Sequence, residues 1–349
     1  MTQINPLSGL TFQSGYRLID GSQLNQMLTA INASYIWPGN IYYCNPATGH
    51  DYNDGLTANT PVATLYKAHQ KMTSGNNDVC LLVSNGATSG TARLSTALAK
   101  TVTSSATAGT LNWTKSACHL IGVGAPSLNN RARIAPPSGT YTVTTFGSGN
   151  FIVNSGSGNI FSNFSVFNGF STGGAAQIAW TDTGSRNYYS NCDFLGLEDA
   201  GSANDTASYS VLLSGAQESV FDSCGIGSDT TARTAANASL NIASASARLT
   251  FRRCVFPSYL TGGGTGAVAI NIASAGLDRF VLLDSCQFLA FGSTMAAVIK
   301  NAGGSPAGNV LLTPSCLSVG ATAIATTGAV YGPIGALGAT TWGIAGALT

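Results

Sequence analysis

The sequence predicts an all-β chain, a right-handed parallel β-helix with a short N-terminal helical segment and a cap. Three observations favour this fold: a short cassette recurs whose cysteines are spaced 30 or 32 residues apart, a second strand precedes each copy, and few residues are charged. A repeat of this size cannot bury its own apolar face, so neighbouring copies must stack. We expect coils of about 30 residues, spaced about 4.8 Å apart.

The cassette is a large apolar residue, a polar pair, a central position and, two residues later, a second large apolar residue. Its central positions are Phe164, Cys192, Cys224, Cys254 and Cys286. The flanking residues are Phe161, Tyr189, Phe221, Phe251 and Leu283 before the centre, and Val166, Phe194, Ile226, Phe256 and Phe288 after it. Straight alternation would bury part of the polar pair, whereas a bend at the pair turns the centre and both flanks inward.

The central cysteines predict an inward stack of free thiols. Stacked strands hold parallel Cβ vectors about 4.8 Å apart, which exceeds the ~3.8 Å that a disulfide prefers. A buried cysteine then acts as a small hydrophobic side chain.

A strand of small and apolar residues precedes each cassette. These strands lie within residues 175–180, 209–214, 238–245, 268–275 and 296–302, and the pentapeptide NIASA occurs at both 241 and 271. Each coil should therefore contain at least two short strands, bends and one variable loop rich in Gly, Ser and Thr.

The composition excludes several classes of protein. The 349 residues include 15 basic and 14 acidic side chains, and 44% of them are hydrophobic. This hydrophobic content excludes a disordered chain, and the balanced charge offers no field to attract nucleic acid or an anionic membrane. No apolar run of about 18 residues predicts membrane insertion. Since no CxxC or His-x-Cys spacing occurs, we expect neither a metal nor a cofactor.

Residues 1–40 form a predicted N-terminal helical or docking segment. Leu24, Met27, Leu28 and Ile31 have the i, i+3, i+4, i+7 spacing of an amphipathic helix. This helix either packs on the cap or serves as a docking arm, and the sequence leaves both open. The first residues lack the pattern of a secretory signal, which favours assembly in a host cytoplasm.

Residues 41–320 are predicted to form the β-helix together with its N-terminal cap. Thr60 predicts a helix N-cap, with Pro61 at the first helical position. The apolar stripe of this short helix consists of Leu65, Ala68 and Met72.

Residues 150–320 resemble the stacked coils of the pectin-lyase-like superfamily, in the pattern of apolar residue, polar pair, Cys, any residue and Phe. The stretch HDYNDGLTANTPVATLYKAHQKMTSGNNDVCLLVSNG, residues 50–86, is similar to the segment that leads into many such β-helices. The resemblance implies that its helix caps the stack and covers open strand edges. Residues 15–32 more weakly resemble N-terminal segments of small tailed-phage structural proteins.

The superfamily includes lyases and hydrolases, so its acids must be tested on site chemistry. Lyases of this fold need clustered carboxylates for calcium, and hydrolases need two carboxylates at a suitable separation. One cassette position holds Asp222, Arg252 and Asp284 in successive repeats, and another holds Arg186, Glu218 and Arg248. Alternating charge along a stack predicts structural neutralisation rather than catalysis, because like charges at that spacing repel.

The best candidate for a cation or glycan site is the longest polar loop of the repeats, which contains Glu198, Asp199 and Asp205. The alternative is a solvated loop with no ligand, which the absence of a motif favours.

Two other acidic stretches predict local structure only. Asp51, Asn53 and Asp54 lack the full register of a calcium loop and its closing glutamate, so they predict a turn. Asp182 and Arg186 predict an ion pair within a loop.

Residues 321–349 form a predicted C-terminal interaction segment that has no charged residue and no histidine. Such a segment would be an aggregation hazard if exposed. We therefore expect it to be buried against another chain or folded over the last coil. Tyr331 and Trp342 are the candidate anchors, because aromatic residues supply much of the energy of protein interfaces.

These features favour a non-enzymatic virion protein, a capsid decoration or head-surface protein of a tailed phage. The expected partners are the major capsid protein or other virion proteins and further copies of the chain, with a trimer favoured. The alternative is a short tailspike-like polysaccharide depolymerase or a β-helix that binds a host-surface glycan.

Overall fold

The chain winds through three parallel β-sheets that enclose one apolar interior. The computed structural model describes residues 39–83, 110–128, 130, 132–135, 149–167, 177–262, 266–303, 308–326 and 330–332. Within these residues sheet A has ten strands, sheet B seven and sheet C eight, and successive coils pair in parallel. The all-β right-handed parallel β-helix predicted from the sequence is confirmed.

The coils visit the sheets in the order B, A, C. Sheet A contains β1 (Ile41–Cys44), β2 (Asp78–Val83), β4 (Cys118–Val123), β7 (Ile160–Ser162), β10 (Tyr188–Ser190), β13 (Val220–Asp222), β17 (Ser246–Arg252), β20 (Leu277–Asp284), β23 (Asn309–Leu312) and β25 (Val330–Tyr331). Sheet B contains β3 (Leu111–Trp113), β6 (Asn150–Asn154), β9 (Ile178–Asp182), β12 (Tyr209–Ser214), β16 (Ala238–Ala243), β19 (Val268–Ile272) and β22 (Ala297–Asn301). Sheet C contains β5 (Arg133–Ile134), β8 (Ser165–Phe167), β11 (Asp193–Leu195), β14 (Gly225–Ile226), β15 (Ser228–Arg233), β18 (Val255–Leu260), β21 (Gln287–Phe291) and β24 (Leu317–Val319).

The polar pair of each cassette forms the bend between sheet A and sheet C. The second residue of each pair has a positive φ, with 60° at Asn163, 49° at Asn191, 56° at Ser223, 53° at Arg253 and 55° at Ser285. This left-handed conformation favours asparagine over most residues that carry a Cβ. The backbone N–H of Asn163 donates to the Ser190 carbonyl at 2.9 Å, so each bend is also bonded to the next coil.

The interior is a set of side-chain columns, as the cassette predicts. The rings of Tyr189 and Phe221 stack at 4.3 Å between centroids with an angle of 8° between their planes. Phe161 and Phe251 continue the column on either side at 5.0 and 4.8 Å. Offset stacking of this kind adds to the burial energy of the rings.

The cysteine stack faces inward, as predicted. Cys192, Cys224, Cys254 and Cys286 are buried free thiols, and Cys316 on the last coil is partly exposed. The Cys254 thiol donates to the Phe221 carbonyl at 3.4 Å, which links it to the preceding coil.

A short helix covers the N-terminal end of the stack. Helix α1 (Leu65–Lys71) buries the predicted stripe against the first strands. Its N-cap is Thr64, whose hydroxyl accepts from Lys67 N at 3.1 Å, so the predicted N-cap at Thr60 is wrong. The reason is that Asp51 accepts hydrogen bonds from the backbone and side chain of Thr64 and fixes the helix start there.

The predicted turn around Asp51 is present. Asp54 accepts from Leu56 N at 3.1 Å and from the Thr60 hydroxyl at 2.8 Å, and the Asn53 amide donates to the Pro61 carbonyl at 2.8 Å. These contacts hold Thr60 in the loop rather than in the helix.

Strand pairing continues into residues assigned from the sequence to the C-terminal segment. Ala321 and Ala325 form parallel bridges with Met295 and Ile299, and β25 pairs with β23.

The cysteine stack predicts the reactivity of the thiols. Burial raises the pKa of Cys224 and of Cys254 well above the ordinary thiol value, and only thiolates react readily. Cys192, Cys224, Cys254 and Cys286 are all buried, so iodoacetamide at pH 8 should leave them unmodified in the folded protein and alkylate all of them after denaturation. Peptide mass spectrometry reads out each site, and a disulfide between any two of these residues would contradict the stacked register.

Candidate functional site

A groove of about 260 Å³ borders four consecutive strands of sheet B and the loops that lead into them. Its lining residues are mostly small or polar and come from β12, β16, β19, β22 and the preceding loops. They are Thr206, Tyr209, Ala236, Asn237, Ala238, Gly266, Val268, Asn271 and Lys300.

Strand register places a column of polar side chains along this groove. Asn241, Asn271 and Lys300 occupy the same position in β16, β19 and β22. The Asn271 amide donates to Asn241 Oδ1 at 2.7 Å, which fixes the two side chains together. Among the described residues that line the groove, Lys300 is the only charged one, and it lies exposed at the end of the column.

Arg233 lies fully buried behind the groove wall, with 1% of its surface exposed. Its guanidinium donates to Asn237 Oδ1 at 2.8 Å, to Ser258 Oγ at 2.9 Å and to Ser239 Oγ at 3.1 Å. Two further bonds reach the carbonyls of Asn237 and Val268, which belong to groove residues. All of these acceptors are neutral.

Two cations, Lys300 and Arg233, and one acid, Asp205, set the electrostatics of the groove. Burial lowers the pKa of Arg233 to about 10, so the side chain stays charged at neutral pH. Burial, and after it the charge of Asp205, raises the pKa of Tyr209. The phenol therefore remains protonated and is available to a ligand as a hydrogen-bond donor.

The loop predicted as a cation or glycan site borders this groove, and its acids are engaged in local structure. Asp199 is the N-cap of helix α2 (Ala200–Ala203) and accepts from Gly201 N at 2.7 Å and Ser202 N at 3.1 Å. Asp205 accepts from the Ser208 hydroxyl at 2.7 Å and Ala207 N at 3.2 Å. The Asn237 amide donates to the Ala203 and Asp205 carbonyls, which ties the loop to sheet B.

Glu198 is half-buried between the loop and β15. Its carboxylate accepts hydrogen bonds from the hydroxyls of Ser228 and Thr230, and its carbonyl accepts from the Thr231 hydroxyl at 3.0 Å. Burial raises the pKa of Glu198 to about 7, although the bond from Thr230 acts in the opposite direction. The three acids of the loop thus bind three separate sets of donors.

The described residues also bear on metal binding and membrane insertion. No group of three or more His, Cys, Asp or Glu side chains is placed to hold a metal ion within these residues. Within the same residues, no helix has the length and apolar character needed to cross a bilayer.

Asp182 is a core residue, so the prediction of a loop ion pair with Arg186 is wrong. Asp182 is fully buried, and its carboxylate accepts from the Asn154 amide and Gly184 N at 2.9 Å each and from the Tyr189 hydroxyl at 2.9 Å. Arg186 instead bonds Glu218 at 2.7 Å. The difference arises because Asp182 ends strand β9 on the inward face, whereas Arg186 lies in the following turn.

The two charge ladders exist, with one departure from the predicted pattern. Glu218 pairs with Arg186 and with Arg248 at 3.2 Å. Asp222 pairs with Arg252 at 3.2 Å and with Arg253 at 2.6 Å.

The departure concerns Asp284, which lies in register with Arg252. Its carboxylate accepts from the hydroxyls of Thr313 at 2.9 Å and Ser285 at 3.1 Å. A second arginine, Arg253, takes part in the Asp222 ladder in its place.

Most of the predicted interaction residues lie outside the described part of the chain. Leu24, Met27, Leu28, Ile31 and Trp342 all belong to such segments. Tyr331 is described: it is half-buried on β25, beside Leu311 of β23.

No protein-family model matches the chain, and the search of curated proteins found no match. Similar solved structures exist. The pectate lyase Pel9A superposes with a TM-score of 0.52 at 13% identity, covering 80% of this chain and 64% of the lyase. The chain has the parallel β-helix fold of this pectate lyase. The resemblance to the pectin-lyase-like superfamily is therefore confirmed at the level of fold.

Two further β-helices show lower similarity. The pectin methylesterase PemA from Erwinia chrysanthemi has a TM-score of 0.46 at 12% identity, covering 79% of this chain and 80% of its own. A rhamnogalacturonan lyase has a TM-score of 0.46 at 13% identity, covering 84% and 67%. This β-helix spans 64% of the length of the pectate lyase that it matches.

Sequence reasoning missed Arg233, Lys300 and the groove between them. Arg233 stands in the polar stretch SDTTARTAAN, and no hydrophobic periodicity in that stretch indicates that its side chain is buried. Lys300 could have been found from the sequence, because it stands at a strand position that holds Asn271 in the preceding repeat.

The Asp182 network predicts a distinctive pH dependence of stability. Burial raises the pKa of Asp182 to about 6, while bonds from Gly184, Tyr189, Asn154 and Asn187 lower it. The folded protein therefore holds a proton between about pH 4 and 6 that the unfolded chain releases. The unfolding free energy of the wild type relative to Asp182→Asn should fall as pH rises through this window, by up to about 1.4 kcal/mol per pH unit.

Asp222→Asn is the matched control with the opposite sign. Burial alone would raise the pKa of Asp222, but bonds from Arg253 and Ser223 hold it below its ordinary value. The stability that this carboxylate contributes should be present above about pH 4 and lost as the pH falls. Urea denaturation at several pH values measures both differences, and parallel pH profiles of the two variants would refute the assignment.

Proposed function

We propose that the protein is a non-enzymatic structural component of a tailed-phage particle, a capsid decoration or head-surface protein. The observation that carries this proposal is the use of its acids: several carboxylates of the repeats are bound to scaffold donors. Asp222 and Glu218 are each shared between two arginines, Asp182 is buried among amides, and Asp199 caps a helix.

Glycan cleavage on such a scaffold would need free carboxylates. Hydrolysis takes two carboxyl groups about 5 to 9.5 Å apart across the sugar bond. Fixed hydrogen bonds to a carboxylate fill part of its lone-pair sites and stabilise its ionised form, which makes it a weaker base. The bonding of these carboxylates therefore supports a protein that offers a surface for assembly or binding over one that cleaves a glycan.

Two further features support the virion role. The coils are paired through every sheet, which suits a particle surface exposed outside the cell. The N-terminal residues 15–32 resemble those of tailed-phage structural proteins. Under this proposal the partners are the major capsid protein and further copies of the chain, with a trimer favoured.

The groove favours a second candidate function, the binding of a host-surface glycan. The Tyr209 phenol, the Asn271 amide and the Lys300 ammonium group line the groove beside small apolar side chains, and polar groups in such a setting are typical of carbohydrate and other small-ligand sites. The fold shared with a pectate lyase supports this candidate too. Attachment to a glycan and assembly into a particle are compatible roles.

Purified protein should self-associate and leave polysaccharides intact. Light scattering after gel filtration measures the oligomer, and a reducing-end assay with pectate and with bacterial surface polysaccharides measures cleavage. Immunogold labelling of phage particles from the source culture should decorate their heads. A monomer that releases oligosaccharides, together with unlabelled particles, would select the depolymerase instead.

Glycan binding in the groove should depend on Lys300. Loss of one charged hydrogen bond costs about 1.5–3 kcal/mol, so Lys300→Gln should weaken binding to a glycan array hit about tenfold or more. Arg279→Gln is the matched control, because it removes an exposed cation on sheet A that pairs only with its neighbour Asp278 among the described residues. Equal binding by the two variants would place the glycan elsewhere.

A further inference from the structure

The outer face of sheet A concentrates the ion pairs of the repeats. All five ion pairs among the described residues lie on it or at its margins, from the Arg186–Glu218 pair to the Asp278–Arg279 pair. They belong to four consecutive coils, those of β10, β13, β17 and β20. Their arginine side chains remain open to solvent, with exposed fractions between 43% for Arg248 and 74% for Arg186. The ladders therefore present charge to a partner as well as pairing it within one chain.

The sign of this charge alternates from coil to coil. Arg186 gives the first of the four coils a formal charge of +1, and Glu218 and Asp222 give the second a charge of −2. The third coil has three arginines and a charge of +3, and the fourth has two acids, one arginine and a charge of −1. The residues are Arg248, Arg252 and Arg253 in the third coil, and Asp278, Arg279 and Asp284 in the fourth. The sheet A strands on either side, β7 and β23, contain no charged residue.

A mostly apolar column runs between the two charge ladders. Strand register places one outward residue of each coil in this column, namely Ile160, Tyr188, Val220, Thr250, Leu282 and Leu311. The first five are half-buried, and Leu311 is 36% exposed. An apolar centre with a polar rim is the usual anatomy of a protein interface.

Two copies can pack this face against itself about a two-fold axis in two ways. An axis parallel to the helix axis places each coil opposite the same coil of its partner, so every charged coil meets its own sign. An axis parallel to the strands reverses the order of the coils. When this axis lies between the second and third charged coils, +1 faces −1, −2 faces +3, and the uncharged β7 faces the uncharged β23. Like charges disfavour the first arrangement, and opposite charges favour the second.

We propose that the outer face of sheet A binds the same face of a second copy of the chain, with the coils of the two copies in opposite order. The contact is isologous, because one surface serves both chains. Glu218 of each copy lies opposite the partner's Arg248, and Val220 lies opposite the partner's Thr250. The inference goes beyond the proposed function, since it holds for a virion protein and for a glycan-binding protein alike.

The size of the face sets the expected strength of the contact. Six coils span about 25 Å along the stack, and the residues from one ladder to the other span about 20 Å along the strands. Pairing therefore buries on the order of 1,000 Å² in total, at the lower end of specific interfaces. We expect a dimer that dissociates on dilution. A two-fold contact is compatible with the trimer favoured above, because the two together give a hexamer.

Two charge reversals test the order of the coils. Arg186→Glu changes the first charged coil to −1, and Asp278→Lys changes the fourth to +1. These coils face each other across the proposed contact, so each variant alone has like charges at both symmetric positions. Its dissociation constant, from light scattering after gel filtration over a range of concentrations, should rise at least about tenfold.

A mixture of the two variants provides the decisive comparison. In a mixed dimer the reversed coils have opposite charges at both positions, so the mixture should pair as well as the wild type. A tag on one variant allows the other to be recovered with it and measured. Mixing leaves the charges within each chain unchanged, so recovery separates the contact from any loss of folding. Lys300→Glu is the matched control, because it reverses an exposed charge on sheet B and should leave pairing unchanged.

Cross-linking tests the same order without changing a charge. Tyr188→Cys and Leu282→Cys place thiols three coils apart in one chain and opposite each other across the proposed contact. A bis-maleimide of about 10 Å, the usual distance between packed sheets, should join the two variants when they are mixed and should leave each alone unjoined.

Each outcome decides the proposal. Recovery of the mixed dimer, with weak association of each variant alone, supports it. Where a trimer also forms, a wild-type hexamer that each variant alone reduces to a trimer supports it equally. A wild type that shows no two-fold association at about 0.1 mM overturns it, as do charge reversals that change nothing or cross-linking of Tyr188→Cys to itself. Immunogold labelling of phage heads does not depend on this contact, so the virion role and the pairing succeed or fail separately.

Discussion

The left-handed bend between sheets A and C is the constraint on which the rest of the structure depends. It turns the chain within two residues, and the bend residues of neighbouring coils are joined by backbone hydrogen bonds such as Asn191 N to the Asp222 carbonyl at 3.1 Å. Because each bend has the same geometry, the flanking strands stay in register from coil to coil. That register aligns the aromatic column and the cysteine stack, and it brings the charged residues of the ladders opposite one another.

The interior changes character along the stack. In the early coils its columns include Asn154 beside Asp182, and Asn159 beside Asn187, whose side-chain Oδ1 accepts from Asn159 N at 3.0 Å. The position of Asp182 becomes Leu213 in the next coil. A buried polar cluster is tolerated only where all of its groups are bonded, so the amides and the carboxylate form one network. The later coils rely on apolar packing instead.

A chain with so few charges uses most of its described carboxylates to hold loops and coils in place. The groove beside sheet B differs, since Lys300 lies at its surface and Arg233 is buried behind it among neutral oxygens. The described part of the chain thus combines a neutralised frame with a locally cationic groove beside sheet B. The position of the polar side chains in the groove depends on the register of the sheet B strands. The rim of the groove depends on the loop that contains Ala203, which Asn237 bonds to sheet B.

The sequence by itself determined the repeat and therefore the fold. The spacing of Cys192, Cys224 and Cys254 fixed the coil length, and the polar pairs fixed the bend, because local pattern and stacking agree at these positions. Only the tertiary structure decided the fate of isolated charges. Asp182 and Arg233 stand in polar stretches that look like loops, and their burial depends on neighbours some 30 residues away, such as Asn154 and Ser258. The same holds for the start of helix α1, which Asp51 sets from across a turn. These particular contacts do not recur from repeat to repeat, so the sequence pattern could not reveal them.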